Sequence, residues 1–235
     1  AAAVTDGTVR IWDVETEAIR RQYSHEEGAV LGVSMLPDGE HLVSGGMGGM
    51  LRLWDARLDA IERVDERHAG PIYALAYHPD GTMIVTGATD GDIRFWEPET
   101  ARSLDRIHGH DARIFALEFD RTGKLLASAA SDGTIRLWSM PGCKLLETLR
   151  GHGATASSLA FTPDGKRLLS SSWDRTIGIW DLESFVKVES LEVNQVFRAI
   201  DIDPSGKLLA TASRETIRLW NAMTGELLET LDGHG

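Results

Sequence analysis

Three histidines of this chain open the same frame. A hydroxyl residue follows 18 positions later, an aspartate 22 and a tryptophan 28. The sets are His68, Thr86, Asp90 and Trp96; His110, Ser128, Asp132 and Trp138; and His152, Ser170, Asp174 and Trp180. Hydroxyl, imidazole and carboxylate are the parts of a nucleophilic triad, in which the base activates the hydroxyl and the acid orients the base. The repetition speaks against that use. An enzyme has little need of three identical triads at one offset, whereas a recurring structural unit repeats its supports as a matter of course. The sets are therefore read as structural, and no catalytic residue is assigned.

The other reactive side chains are scattered. His41 and His78 adjoin turn signals, and His108 lies two residues before His110, so solvation is expected for all three. The single cysteine, Cys143, rules out an intrachain disulfide and a multi-cysteine zinc site, and it fits a reducing, cytoplasmic setting. The charged runs ETEAIRR, LDAIERVDERH and DLES read as solvated faces. GGMGGM at 45–50 lacks a lysine and a following helix, so it reads as a loose turn rather than a phosphate cradle. No metal and no cofactor is expected.

The histidine frame sits inside a longer period. Trp12, Trp54, Trp96, Trp138, Trp180 and Trp220 follow one another at intervals of 42, 42, 42, 42 and 40 residues. Each unit carries two turn signals. The first is Pro37-Asp38-Gly39, Pro79-Asp80-Gly81, Arg121-Thr122-Gly123, Pro163-Asp164-Gly165 or Pro204-Ser205-Gly206. Proline presets φ in such a turn, and glycine accepts the left-handed conformation that closes it. The second is the SDG or TDG before the tryptophan run, a hairpin signal. Short alternating runs such as IYALAYH, KLLASAAS and TIRLW lie between, and a fourth, CKLLETLRGH, ends the unit. Four short strands per unit predict a four-stranded antiparallel sheet. No segment sustains a helical period. A unit of this size cannot bury its own apolar face and must stack on its neighbours. Radial stacking of four-stranded sheets is a β-propeller.

Composition narrows the function classes. Hydrophobic residues make up 42% and charged residues 26%, ordinary values for a globular protein. No apolar run approaches the ~20 residues of a membrane span. The net charge of -12 argues against nucleic acid, whose binders carry a basic stripe, and against an anionic membrane surface. AAAVTDG at the start lacks the basic residues and apolar core of a secretory signal.

Gly109-His110, followed by Trp138, resembles the GH…WD signature of the WD-repeat β-propellers, and the pattern recurs in phase along the whole chain. The resemblance implies an all-β fold of four-stranded antiparallel blades. Five full blades would cover 28–69, 70–111, 112–153, 154–194 and 195–235, with a partial sixth at 1–27, as a fragment of a six- or seven-bladed ring. Gly233-His234 repeats the signature that opens a blade. Completion of the ring is expected from further parent sequence or, failing that, from another chain.

The resemblance also implies a role for the three sets. The histidine bonds the aspartate in the turn between the second and third strands, and the hydroxyl bridges to the tryptophan. Such a relay satisfies an indole N–H that burial would otherwise strand. Imidazole can donate from one nitrogen while accepting at the other. Two units depart from the pattern. Around Trp54, Gly48 stands for the aspartate and Glu26 for the histidine, with His25 one residue early. Around Trp220 the turn is one residue short, Glu215 stands near the aspartate position and Val193 at the histidine position. Packing alone is expected to hold those two blades.

Partner binding is implied at the loops before the first strands and the turns before the third. Tyr73, Arg113, Phe115, Trp173 and Arg198 fall there, and Trp173 is the one tryptophan that does not close a third strand. Aromatic residues and arginine dominate protein-recognition hot spots. WDAR at 54–57 resembles the WDxR element of propellers that dock onto ubiquitin-ligase adaptors, although an arginine on a solvent-facing loop is the simpler account. The expected function is a non-catalytic protein–protein interaction scaffold for other proteins or peptides. The alternatives are the sensor or regulatory region of a larger multidomain signalling protein, and a propeller enzyme with a central-channel site. No converging set of carboxylates, histidines or metal ligands for the last is legible.

Overall fold

The computed structural model describes every residue except 1, 4–5, 14, 17, 25–27, 36–38, 56–60, 194, 214, 223 and 233–235, and only the backbone of 2–3 and 61–66. Residues 1–114 and 115–235 form two compact units. Among the described residues every regular element is a strand, and no helix is long and apolar enough to cross a membrane.

The first unit holds three sheets. The first sheet is Ala2–Ala3, Thr8–Trp12 and Ile19–Ser24. The second is Val30–Met35, His41–Gly46, Met50–Asp55 and Ile61–Arg67. The third is Ile72–Tyr77, Ile84–Ala88, Asp92–Trp96 and Ser103–His108. In the second unit the fourth sheet is Ile114–Phe119, Leu125–Ala130, Ile135–Ser139 and Lys144–Leu149. The fifth is Ala156–Phe161, Arg167–Ser172, Thr176–Asp181 and Lys187–Glu192. The sixth is Ala199–Ile202, Leu208–Ala212, Thr216–Asn221 and Leu227–Asp232. Strands follow chain order across each sheet, with antiparallel ladders between neighbours. The chain is thus all-β, built of four-stranded antiparallel blades with a partial blade at its start.

Two buried faces explain why the strands read as nearly unbroken apolar runs. In the fifth sheet, Leu168 and Trp180 point into a core shared with Ala127, Ile135 and Leu137 of the fourth. Leu169, Ile177 and Ile179 lie on the other face and pack with Phe197, Leu209 and Trp220 of the sixth. Side chains alternate across a strand, so consecutive residues serve opposite cores. A buried tryptophan contributes on the order of 5 kcal/mol through its apolar area. In five sheets the ladder from the tryptophan strand to the last strand shifts register at the tryptophan, as between Ile179 and Trp180.

The first hairpins are closed by side chain as well as backbone. Asp203 Oδ2 accepts the Ser205 hydroxyl at 2.6 Å, and its Oδ1 accepts the N–H of Lys207 at 2.8 Å and Leu208 at 2.7 Å. These donors, the Ser205 hydroxyl first, hold the carboxyl at about 2. Gly206 takes the left-handed φ of 72° that completes the turn.

GGMGGM departs from the expectation of a loose turn. Gly45 and Gly46 end a strand, and only residues 47–49 turn. A Cβ on Gly45 would come within 2.8 Å of Ile72 of the third sheet, and one on Gly46 would collide with the Ala29 carbonyl. These glycines serve close packing rather than a loop.

Candidate functional site

Two of the predicted four-residue sets come together within single units. In the first, Trp96 Nε1–H donates to Thr86 Oγ1 at 2.8 Å, and Thr86 Oγ1 lies 2.7 Å from His68 Nε2. His68 Nδ1 stands 3.0 Å from Asp90 Oδ2, which also accepts the Ala69 N–H at 2.9 Å. In the second, Trp180 Nε1–H donates to Ser170 Oγ at 2.8 Å, and Ser170 Oγ lies 2.7 Å from His152 Nε2. His152 Nδ1 stands 2.9 Å from Asp174 Oδ2, which accepts the Gly153 N–H at 2.9 Å. The indole can only donate, so the hydroxyl proton turns to Nε2 and the imidazole proton sits on Nδ1, facing the carboxylate. Burial lowers the pKa of His152 and favours this neutral form. Burial would by itself raise Asp174, yet the Thr176 hydroxyl, the Gly153 N–H and His152 together hold it at about 2. Asp90 reaches about 2 against the same opposing burial, through His68 and the Ala69 N–H.

The remaining set is divided between the units. His110 is buried in the first. In the second, Trp138 Nε1–H donates to Ser128 Oγ at 3.0 Å, and Asp132 Oδ1 accepts the Thr134 hydroxyl at 2.8 Å. Thr86 and Ser170 are fully buried, and each already accepts an indole N–H. No substrate carbonyl can reach either oxygen. These hydroxyls fasten strands and do not attack.

The two irregular sheets keep more of the pattern than expected. Packing alone does not hold them, because Trp54 Nε1–H donates to Ser44 Oγ at 2.7 Å and Trp220 Nε1–H to Thr211 Oγ1 at 2.9 Å. At the shortened turn, Ser213 Oγ accepts the Thr216 N–H at 3.1 Å in place of a carboxylate. Val193 is buried at the histidine position, and Phe197 meets Trp220 edge-on at 6.4 Å. Tyr23 packs 4.8 Å from Trp54. His25 and Glu26 lie outside the described residues, as do Arg57 of WDAR, Pro37-Asp38 and Gly233-His234.

The solvated histidines are better partnered than their sequence context suggested. His108 is exposed, but its Nδ1 lies 3.1 Å from Asp92 and its Nε2 3.0 Å from Asp111, and these carboxylates, Asp111 first, raise its pKa. His78 bonds Asp80, and His41 Nε2 lies 4.0 Å from Asp55. Among the described residues no three His, Cys, Asp or Glu side chains gather as a metal site requires.

The five predicted recognition residues form two pairs and one outlier. In the first unit the Arg113 guanidinium stands over the Tyr73 ring at 4.9 Å. In the second unit Phe115 and Trp173 lie 5.5 Å apart at 58°. Trp173 remains 46% exposed. Its N–H donates to the Thr155 carbonyl at 2.9 Å, which holds the turn while leaving the indole outside. Arg198 is exposed, anchored by its own N–H on the Ala212 carbonyl at 2.9 Å.

One feature escaped the sequence reading. Glu118 and Asp201, on the first strands of the fourth and sixth sheets, line one hollow of about 330 Å³ with Arg121 and Phe161. Burial, and then the Asp201 carboxylate, push Glu118 up to about 7. The available signal was a glutamate placed among apolar residues in IFALEF.

The family model described as WD domain, G-beta repeat matches residues 17–55, 62–97, 101–139, 143–181 and 188–221. Each stretch ends one residue after a third-strand tryptophan, so the sequence repeat joins the last strand of one sheet to the first three of the next. No curated protein matches the chain.

Proposed function

The chain belongs to the WD domain, G-beta repeat family, whose β-propellers generally serve as protein–protein interaction scaffolds, and on that footing we propose that it is a non-catalytic platform for other proteins or peptides. Its recognition residues are Tyr73, Arg113, Phe115, Trp173 and Arg198. The exposure of Trp173 beside Phe115 carries this reading. A half-exposed indole on a backbone-anchored turn supplies rigid apolar area at little entropic cost, the makeup of a hot spot. The sealed hydroxyls of Thr86 and Ser170 count against the triad alternative.

The test places a photoreactive benzoylphenylalanine at position 173, with position 146 on the exposed fourth strand of the fourth sheet as control. Irradiation in a source lysate is expected to give discrete adducts from 173 alone, weakened by Phe115→Ala. Identical adducts from both positions would sink the assignment.

A further inference from the structure

His108 stands between two carboxylates of the first unit. Its Nδ1 lies 3.1 Å from Asp92 Oδ1 and its Nε2 3.0 Å from Asp111 Oδ1. An ionised carboxylate can only accept, and neutral imidazole carries a single N–H. Both contacts are hydrogen bonds only when both ring nitrogens hold a proton, so the geometry is that of the imidazolium. Loss of one proton sets a ring lone pair against a carboxylate oxygen, and one contact must break. The repeat shows why a cation is needed at this place. In the fourth and fifth sheets the residue two beyond the relay aspartate is a threonine, Thr134 or Thr176, whose hydroxyl donates to that aspartate at 2.8 and 2.7 Å. In the third sheet the position holds Asp92. Its N–H still donates to Asp90 Oδ1 at 3.1 Å, but its side chain brings a second carboxylate where the others bring a donor. His108, opposite Asp92 in the ladder, answers that charge.

We propose that His108 is a pH-sensitive clasp, which when protonated ties the loop after the third sheet to the strand of Asp92 and lets that loop go when the proton leaves. The loop is 109–113. Gly109 and His110 are held by the Gly91 carbonyl, at 2.8 and 2.9 Å. Asp111 follows them as the clasped residue, and Arg113, over the Tyr73 ring at 4.9 Å, lies two residues further on. Asp111 is the partner that lets go. Its side chain is 90% exposed against 20% for Asp92, so water replaces its bond more readily. The other charged groups beside His108 in this ladder are Arg94 and Arg106, which face each other two residues along. As cations they favour loss of the proton, so its retention falls to the two carboxylates. These, Asp111 first, hold the imidazole above its ordinary 6.5. The clasp is therefore complete below 6.5 and opens as pH rises through the folded value. A tied loop presents Arg113 already ordered, which favours binding. That consequence rests on the reading of Tyr73 and Arg113 as recognition residues, whereas the clasp itself is measured without a partner and stands or falls apart from it.

The test follows the isotope-labelled full chain by NMR from pH 5 to 9. The His108 ring is expected to titrate with a midpoint above 6.5, and Asp92→Thr and Asp111→Asn should each lower that midpoint. The amides of Asp92, Gly109 and Asp111 should move with the same midpoint. The Arg113 side-chain protons, displaced upfield by the Tyr73 ring, should return toward ordinary positions as pH rises. His108→Gln should flatten the amide and Arg113 responses while leaving the unfolding midpoint in place. A His108 ring that titrates at or below 6.5 would overturn the clasp, as would amide responses that persist in His108→Gln. A raised midpoint with Arg113 signals that do not follow it would overturn control of the loop.

Discussion

Replacing His152 with alanine leaves Asp174 and Ser170 each short of one partner inside the fold. A loss of roughly 1–3 kcal/mol is expected, read as a lowered midpoint in denaturant, whereas an unchanged midpoint would reduce the relay to decoration. The relay aspartates also set an acid limit. Asp90 and Asp174 titrate near 2 in the fold against an ordinary 3.8. Their stabilisation is complete above the ordinary value and is lost as pH falls toward 2. Asp174→Asn should flatten part of that acid limb in thermal melts. Glu118 has the opposite sign. Its folded value of about 7 exceeds the ordinary 4.5, so the native state binds the extra proton between them. Stability therefore declines as pH rises from 4.5 to 7, by roughly 2–3 kcal/mol. Glu118→Gln should remove this slope and raise the melting temperature at pH above 7; a slope unchanged in the variant would refute the assignment. The relays were legible because each residue type recurs at a fixed offset. Glu118 was not, since its shift arises from burial between sheets and then from Asp201 on a strand two sheets away, neither of which a local pattern encodes.

At the scale of the element, glycine positions carry much of the specificity. Gly91 adopts φ 77°, and its carbonyl accepts the N–H of both Gly109 at 2.8 Å and His110 at 2.9 Å. A Cβ there would collide with the His110 carbonyl. Gly91→Ala is expected to cost about 2 kcal/mol or more, through strain at a left-handed position and displacement of the histidine loop. Hydrogen exchange at Gly109 and His110 should rise with it, and unchanged protection would contradict the account. The four-strand unit and its turns were legible from alternation and from glycine placement. The tryptophan–hydroxyl bonds of the irregular sheets were underestimated. Ser44 and Thr211 need no histidine to accept an indole N–H, so half of the relay survives loss of the other half. GGMGGM misled because a glycine run resembles a loop, whereas the approach of Ile72 that demands those glycines comes from the next sheet.

At the scale of the molecule, repetition builds the sheets, and the proposed recognition residues stand where it lapses. Where Trp96 and Trp180 recur in phase, they are buried beneath satisfied hydroxyls. Where a tryptophan breaks phase, at Trp173, it faces solvent beside Phe115. The central claim is that aromatic residues at the strand-opening end bind partners. Its most direct test is quantitative co-purification with a variant carrying Tyr73→Ala, Phe115→Ala and Trp173→Ala, beside a control carrying Leu145→Ala and Leu146→Ala. Hot-spot truncations each cost about 2 kcal/mol or more of binding. The account predicts that the triple variant keeps its unfolding midpoint and loses a discrete group of proteins that the control retains. A folded triple variant that still retains every one of them would contradict it.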